Sequence, residues 1–121
     1  MASVLVVDDD PSVVKLLETV LKKQGYAVDT AQDGLDALVK LKHNPPDLVV
    51  LDIMLPEING YDICYHLRFN KDFAQIPILL VTEREQELDD RIGKRINIVY
   101  LAKPIKTEDM LAKIKLLLSA T

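Results

Sequence analysis

Short apolar runs alternate along the chain with segments in which apolar residues recur at helical spacing. The apolar runs predict strands at 3–7, about 26–30, 48–51, about 76–81 and 98–102. The segments between and after them predict five helices, at 11–24, about 34–43, after Gly60, 83–96 and from 107 onward. The third helix would place Ile63, Cys64 and Leu67 on one face. Strands that alternate with helices in this way are typical of an α/β fold with a parallel sheet covered on both faces.

Capping and breaking residues support several of these boundaries. Asp10-Pro11 predicts an N-cap followed by the first helical residue, and Gly25 stands where a glycine often ends a helix. Asn44-Pro45-Pro46 ends the second helix, and Thr107 is predicted to cap the last one. The segment 83–96 carries many charges and few apolar residues, so we expect packing to hold this helix only weakly.

Four of the five apolar runs end in polar residues. The first is followed by Asp8-Asp9-Asp10, and the others by Asp52, Thr82 and Lys103. The second run ends in Thr30-Ala31-Gln32-Asp33 and offers no comparable group. Ligands of open α/β sheets bind outside the carboxyl ends of the strands. Carboxylates, a hydroxyl and an ammonium gathered there would suit a divalent cation and a phosphoryl group.

Carboxylates held this close repel one another and raise each other's pKa unless a cation lies between them. Mg²⁺ prefers one or two carboxylates, water and a phosphate oxygen, so the pattern predicts a Mg²⁺ or Mn²⁺ site. The alternative is that Asp8–Asp10 forms only a turn at the strand end with a helix N-cap. The placement of Asp52 and Lys103 at other strand ends favours the cation site.

Composition narrows the class of protein. A length of 121 residues predicts one domain, 1–121, with a single core. The net charge of −4 argues against direct binding of nucleic acid, which requires clustered Lys and Arg. The single cysteine, Cys64, excludes an intrachain disulfide and fits a reducing compartment. The start of the chain has no signal-peptide pattern, and no apolar run is long enough to span a membrane, so we expect a cytoplasmic protein.

Five short motifs together resemble the receiver domain of bacterial two-component response regulators. Their order and spacing along the whole chain are those of the family. The motifs are Val6-Val7-Asp8-Asp9-Asp10-Pro11, Leu51-Asp52-Ile53-Met54-Leu55-Pro56, Asn59-Gly60, Val81-Thr82 and Tyr100-Leu101-Ala102-Lys103-Pro104.

The resemblance implies a fold and a set of residue roles. The fold would be flavodoxin-like, a doubly wound five-stranded parallel sheet of order 2-1-3-4-5 with five helices, which leaves the plain second strand at an edge. Asp52 would be the phosphoacceptor. Asp8, Asp9, Asp52 and the backbone carbonyl of Met54 would hold Mg²⁺.

The resemblance also implies a switch. Thr82 would hydrogen-bond a phosphoryl oxygen, and Lys103 would form an ion pair with the phosphoryl group. Tyr100 matches the aromatic residue that changes rotamer on phosphorylation, and a cis peptide bond is expected at Lys103-Pro104. The face made by the fourth helix, the fifth strand and the fifth helix would bind the output partner.

The implied function is phosphorelay signalling. A histidine kinase or a histidine phosphotransfer protein would donate the phosphoryl group, and an output protein or domain that the sequence does not identify would receive the signal. The chain would not be an enzyme in the ordinary sense, because it would only phosphorylate and dephosphorylate itself. We expect no direct contact with nucleic acid or membrane.

Three positions are possible modulators of this chemistry. Glu83 stands where the family usually has a small residue, and its charge would oppose an incoming phosphoryl group. Met54 and Arg84 lie two residues after the predicted acceptor and two after the threonine, positions that influence dephosphorylation in the family.

Three other classes of protein compete with the receiver domain as interpretations of the sequence. A pseudo-receiver, which binds partners without taking phosphate, is the main alternative, and Glu83 is the residue that favours it. A flavodoxin-like cofactor binder needs a phosphate loop where this chain has Asp8-Asp9-Asp10. A haloacid-dehalogenase-like phosphatase needs a second Asp at the position of Met54.

The remaining reactive side chains have plain structural interpretations. His43 and His66 lack partners at metal-ligand spacing, so both are interpreted as surface residues. Cys64 is interpreted as a small core residue of the third helix. The run 83–87 is interpreted as a solvated helix face.

Overall fold

The computed structural model describes residues 1–55, 60–82 and 98–119, with the backbone alone at Tyr61 and Thr82. The strands are β1 (Ser3–Val7), β2 (Ala27–Ala31), β3 (Leu48–Asp52), β4 (Ile78–Thr82) and β5 (Ile98–Ala102). The described helices are α1 (Pro11–Lys23), α2 (Gly34–His43), α3 (Gly60–Phe69) and α4 (Thr107–Ser119). The helix predicted over 83–96 lies outside the described residues, so α4 corresponds to the last helix predicted from the sequence.

The strands form one parallel sheet in the order β2-β1-β3-β4-β5. This order confirms the predicted doubly wound topology and leaves β2 at one edge. The register aligns the carboxyl ends of the strands, since Val7 pairs with Leu51 and Asp52 pairs with Val81. Groups that follow β1, β3 and β5 therefore emerge at one end of the sheet.

Strand alternation divides the core between the two faces of the sheet. One face packs against α2 and α3, and its most buried members include Leu5, Leu51, Leu80, Leu41, Ile63 and Leu67. The other face packs against α1 and α4, and its members include Val6, Val50, Leu79, Leu17, Leu21 and Ile114. Strands buried on both sides explain the continuous apolar runs of the sequence. None of the described helices is long and apolar enough to cross a membrane.

The ends of α1 follow the sequence prediction. The Asp10 side chain caps the helix by accepting from the Ser12 amide, and Pro11 is the first helical residue. At the other end, Gly25 has φ +91° and donates to the Lys22 carbonyl, while Tyr26 donates to the Leu21 carbonyl. This pair of bonds is a Schellman motif, whose left-handed residue is usually glycine.

Several boundaries differ from the prediction by one or two residues. β2 begins at Ala27, because the Tyr26 amide bonds back to α1. β4 begins at Ile78, because Pro77 has no N–H for the ladder. Thr107 is the first residue of α4 and not the residue before it, since the Lys106 carbonyl accepts the first helical bond from Met110.

Candidate functional site

Three carboxylates meet at the carboxyl end of the sheet. Asp52 is the last residue of β3, and Asp8 directly follows β1, which lies beside β3. One oxygen from each of Asp8, Asp9 and Asp52 lies within 4.8 Å of the others. Val6 and Val50 pack in the same core layer, so the two-residue period of a strand brings Asp8 and Asp52 to one side of the sheet.

Asp52 is buried and held by hydrogen bonds at both oxygens. Its exposed fraction is 2%, although it carries a group that is normally charged. Lys103 Nζ lies 2.9 Å from Oδ2, and the Met54 amide donates to Oδ1 at 3.0 Å. The lysine offsets part of the cost of burying the carboxylate, and the amide fixes its orientation.

Asp8 is almost as deeply buried as Asp52, and both belong to the same cluster of carboxylates. Burial is the largest cause that raises the pKa of Asp8 from an ordinary 3.8 to about 6, and the negative charge of Asp52 adds to it. The Asp10 amide donates to Asp8 Oδ1 at 2.9 Å and opposes the pKa rise in part. A nearby cation would stabilise the ionised form of this carboxyl group.

The three aspartates of the Asp8-Asp9-Asp10 triplet have two different roles. Asp9 is exposed and belongs to the carboxylate cluster, whereas Asp10 is turned to the start of α1. The Ser12 hydroxyl and amide donate to Asp10, and these bonds lower the pKa of its carboxyl group. The N-cap interpretation therefore holds for Asp10 alone and leaves the other two carboxylates to the site.

Lys103 reaches the cluster from the far edge of the sheet. It follows β5, which is separated from β3 by β4, and its side chain is about one-quarter exposed. The Lys103–Pro104 peptide bond is cis, as the resemblance implied. The contact of Lys103 with Asp52 places an ammonium group beside a buried carboxylate.

Of the other predicted site residues, the structure describes Met54 in full and Thr82 by its backbone. Met54 is 72% exposed, and its amide contacts Asp52. The backbone of Thr82 pairs with Ala102 at the end of β4, while its hydroxyl lies outside the described part of the chain. Glu83 and Arg84 also lie outside the described residues. The roles predicted for these residues stay predictions.

Tyr100 lies in the middle of β5. Its side chain is partly buried and packs against the core on the α2 and α3 face of the sheet. Its backbone carbonyl accepts a hydrogen bond from Lys113 of α4 at 2.9 Å. Sequence reasoning missed this contact, because nothing in the spacing of β5 and α4 predicts which lysine reaches the edge strand.

A second contact that sequence reasoning missed is the approach of Gly60 to the end of β3. Gly60 is the first residue of α3, and its amide donates to the Ile53 carbonyl at 2.7 Å. The sequence carried a signal in the Asn59-Gly60 motif, but the motif alone does not say what the glycine touches.

Other reactive side chains lie outside the cluster. His43 is exposed, as predicted, but His66 is only partly exposed, because α3 turns that position toward the protein. Cys64 is buried, and burial raises the pKa of its thiol to about 12, so the thiol stays protonated. Within the described ranges, Asp8, Asp9 and Asp52 form the one cluster that could hold a metal ion.

The donor set of this cluster fits a hard divalent cation. Carboxylate oxygens are preferred ligands of Mg²⁺, and a cation would relieve the repulsion that helps raise the pKa of Asp8. Lys103 supplies one positive charge against three carboxylates, so charge remains for a divalent ion to neutralise. The residues present are therefore suited to hold Mg²⁺.

Fold and site together define a flavodoxin-like α/β protein with an acidic, lysine-bearing site at the carboxyl edge of its sheet. Residues 4–115 match the family model of the response regulator receiver domain, and the chain belongs to this family. It is a signalling module of two-component systems, and receiver domains of this family bind Mg²⁺ at an acidic pocket and accept phosphoryl groups from histidine kinases.

Relatives of this chain include transcriptional and chemotaxis regulators. It is 40% identical over 116 residues to PhoP of Bacillus subtilis, the alkaline phosphatase synthesis transcriptional regulatory protein. That alignment covers 95% of this chain and 48% of PhoP, so the chain spans about half the length of that relative. The solved chemotaxis response regulator CheY4 of Vibrio cholerae is 30% identical, with a TM-score of 0.87 and coverage of 97% of this chain and 98% of that one.

A further similar structure contains a bound magnesium ion. The receiver domain of a sensor histidine kinase of Pseudomonas aeruginosa PAO1 is 26% identical, with a TM-score of 0.84 and coverage of 98% of both chains. That structure has a magnesium ion coordinated in its active-site cleft.

Proposed function

We propose that this chain is a single receiver domain, 1–121, in which Asp52 accepts a phosphoryl group from a phosphohistidine. The observation that carries the proposal is the buried Asp52 carboxylate, which touches Lys103 on one side and lies within 4.8 Å of Asp8 and Asp9 oxygens on the other. Phosphoryl transfer depends mainly on positioning and charge neutralisation, and this arrangement offers both.

The transfer itself is a displacement at phosphorus. An Asp52 carboxylate oxygen attacks the phosphorus atom, a P–O bond forms, and the P–N bond to the donor imidazole breaks. The imidazole leaves with the electron pair of that bond and takes a proton from solvent. The product is an aspartyl phosphate, a mixed anhydride that water hydrolyses to restore the carboxylate.

Asp8, Asp9, Asp52 and the Met54 carbonyl would hold Mg²⁺. When bound, the ion supplies positive charge to the phosphoryl oxygens. Lys103 would move from the Asp52 carboxylate to the phosphoryl group and balance a second oxygen, since its ammonium already lies 2.9 Å from the acceptor.

The signal would leave the site through β4 and β5. Thr82 would hydrogen-bond the phosphoryl group, and Tyr100 would change rotamer in response. The output face would consist of the predicted helix over 83–96, β5 and α4, and its partner is an output protein or domain. Glu83, Arg84 and Met54 would set the rates of phosphorylation and hydrolysis. We place this signalling in the cytoplasm, with a histidine kinase or phosphotransfer protein as donor.

Intact-mass analysis tests the acceptor. After incubation with acetyl phosphate and Mg²⁺, we expect the wild type to gain one phosphoryl group and Asp52→Asn to gain none. Asp72→Asn is the matched control, because Asp72 is an exposed aspartate in the turn after α3 and should be phosphorylated like the wild type. Absence of the modification with acetyl phosphate and with a cognate kinase would identify the chain as a pseudo-receiver.

A further inference from the structure

Gly60, the first residue of α3, lies in close contact with the backbone of Asp52 and Ile53. A Cβ placed at Gly60 would lie 2.6 Å from the Asp52 carbonyl oxygen, 2.6 Å from Ile53 Cα and 3.1 Å from the Asp52 carbonyl carbon. The two distances of 2.6 Å are shorter than the Cβ contacts of folded proteins, and the third is tighter than most of them. The opposing atoms all belong to the backbone, so no change of side-chain rotamer can make room.

The same stretch of backbone is held from its other side. The Ile53 amide donates to the Val81 carbonyl of β4 at 3.1 Å, and the Ile53 carbonyl accepts from the Gly60 amide at 2.7 Å. The end of β3 is thus fixed between β4 and the start of α3. A side chain at position 60 would have to push the backbone of Asp52 and Ile53, because both neighbours of that backbone are packed.

The Asp52 side chain would move with its backbone. Its two oxygens are placed by Lys103 Nζ at 2.9 Å and by the Met54 amide at 3.0 Å, and both contacts depend on where β3 ends. The shared cluster with Asp8 has the same dependence. Displacements of about 1 Å at a reacting group cost on the order of 100-fold in rate.

We propose that Gly60 is a positioning residue for the phosphoacceptor, required because its missing side chain lets α3 hold the Asp52 backbone where the carboxylate meets Lys103 and the acidic cluster. The part of this inference that concerns phosphorylation rests on the proposed function of Asp52. The part that concerns cation binding is independent of whether Asp52 is phosphorylated. Gly60 acts through Asp52 and has no contact with the donor in this account.

The test compares Gly60→Ala with Gly25→Ala. Gly25 has φ +91° and no atom within 4 Å of a Cβ, so its substitution strains the backbone at the end of α1 without touching the site. Both variants should lose stability. We expect Gly60→Ala alone to lose Mg²⁺ affinity, by about tenfold or more in calorimetric titration, and to be phosphorylated by acetyl phosphate at least about tenfold more slowly.

The outcomes separate the two proposals. A Gly60→Ala protein with wild-type Mg²⁺ affinity overturns the positioning role. A wild type that binds Mg²⁺ but is never phosphorylated overturns the proposed function. The Mg²⁺ affinities of Gly60→Ala and Gly25→Ala would then still test the positioning role of Gly60.

If Gly60→Ala unfolds in buffer, both variants are titrated in trimethylamine N-oxide, which favours folded chains. A Gly60→Ala chain that stays unfolded there also overturns the proposal, because Gly60 would then be needed for folding and not for placing Asp52.

Discussion

The interior of β3 and its last residue are buried to nearly the same extent, but their side chains have opposite chemistry. Val49 and Val50 in β3 are at most 1% exposed, and Asp52 at the end of the same strand is 2% exposed. Burial of the valines stabilises the fold, whereas burial of the carboxylate costs free energy that Lys103 offsets in part. The valines of β3 therefore contribute to stability, whereas the buried Asp52 reduces stability and supplies a reactive group at the carboxyl edge.

The largest effect should come from the interior. Leu41 on the inner side of α2 is 1% exposed, and Leu35 on the same helix is 53% exposed. We expect Leu41→Ala to lower the free energy of unfolding by about 2–5 kcal/mol, because it removes buried methyl groups and leaves a cavity. The matched variant Leu35→Ala should change it by less than about 0.5 kcal/mol. Urea denaturation measures both, and equal losses would contradict this account of the core.

The next largest loss of stability should come from breaking the Lys103–Asp52 pair at the carboxyl end of the sheet. Most of that loss should be recovered when both charges are removed. Lys103→Met leaves the buried Asp52 carboxylate without its lysine, so we expect a loss of about 2–3 kcal/mol, somewhat below the cost for a fully buried pair. The double variant Lys103→Met/Asp52→Asn should recover most of that loss, because an amide is cheaper to bury than a carboxylate. Urea denaturation of the double-variant cycle checks this. A double variant no more stable than Lys103→Met would refute the electrostatic explanation.

Much of the fold was predictable because it depends on local patterns. Buried parallel strands produce continuous apolar runs, and Asp10-Pro11 and Gly25 have capping roles that are set within one helical turn. The sequence did not predict that Leu35 is exposed, because an apolar residue at helical spacing says nothing about which neighbour covers it. The strand order came from the family resemblance.

The members of the site were predictable, but their individual states were not. Strand period and topology bring Asp8, Asp52 and Lys103 to one edge. That Asp52 contacts the lysine while the pKa of Asp8 rises depends on distances and burial that arise only in three dimensions. The approach of Gly60 to Asp52 is likewise a tertiary contact.

A smaller effect should appear in the dependence of stability on pH. The pKa of Asp8 rises from 3.8 to about 6 on folding, so between these values the folded chain binds the proton more tightly than the unfolded chain. The contribution of Asp8 to stability therefore falls as pH rises through this window. Between pH 7 and pH 5, the wild type should gain about 1–2 kcal/mol relative to Asp8→Asn.

Urea denaturation of both proteins at the two pH values, without Mg²⁺, measures this difference. Because protons and Mg²⁺ compete for the same carboxylate, the Mg²⁺ affinity of the wild type should also be weaker at pH 5 than at pH 7. Identical pH profiles for the wild type and Asp8→Asn would contradict the buried state of Asp8.

The smallest effect should come from the end of β2, which lies at an edge of the sheet. Asp33 follows β2, and its carboxylate caps α2 by accepting from the Asp36 amide at 2.7 Å. Asp33→Ala should cost about 0.5–1 kcal/mol through loss of that cap, and Asp33→Asn should retain most of the stability. Both variants should keep wild-type Mg²⁺ affinity, whereas Asp8→Asn should not. Weakened Mg²⁺ binding by Asp33→Ala would mean that the acidic site reaches the edge strand. Unchanged binding would mean that an aspartate after a strand serves the site only where the sheet order brings it beside Asp52.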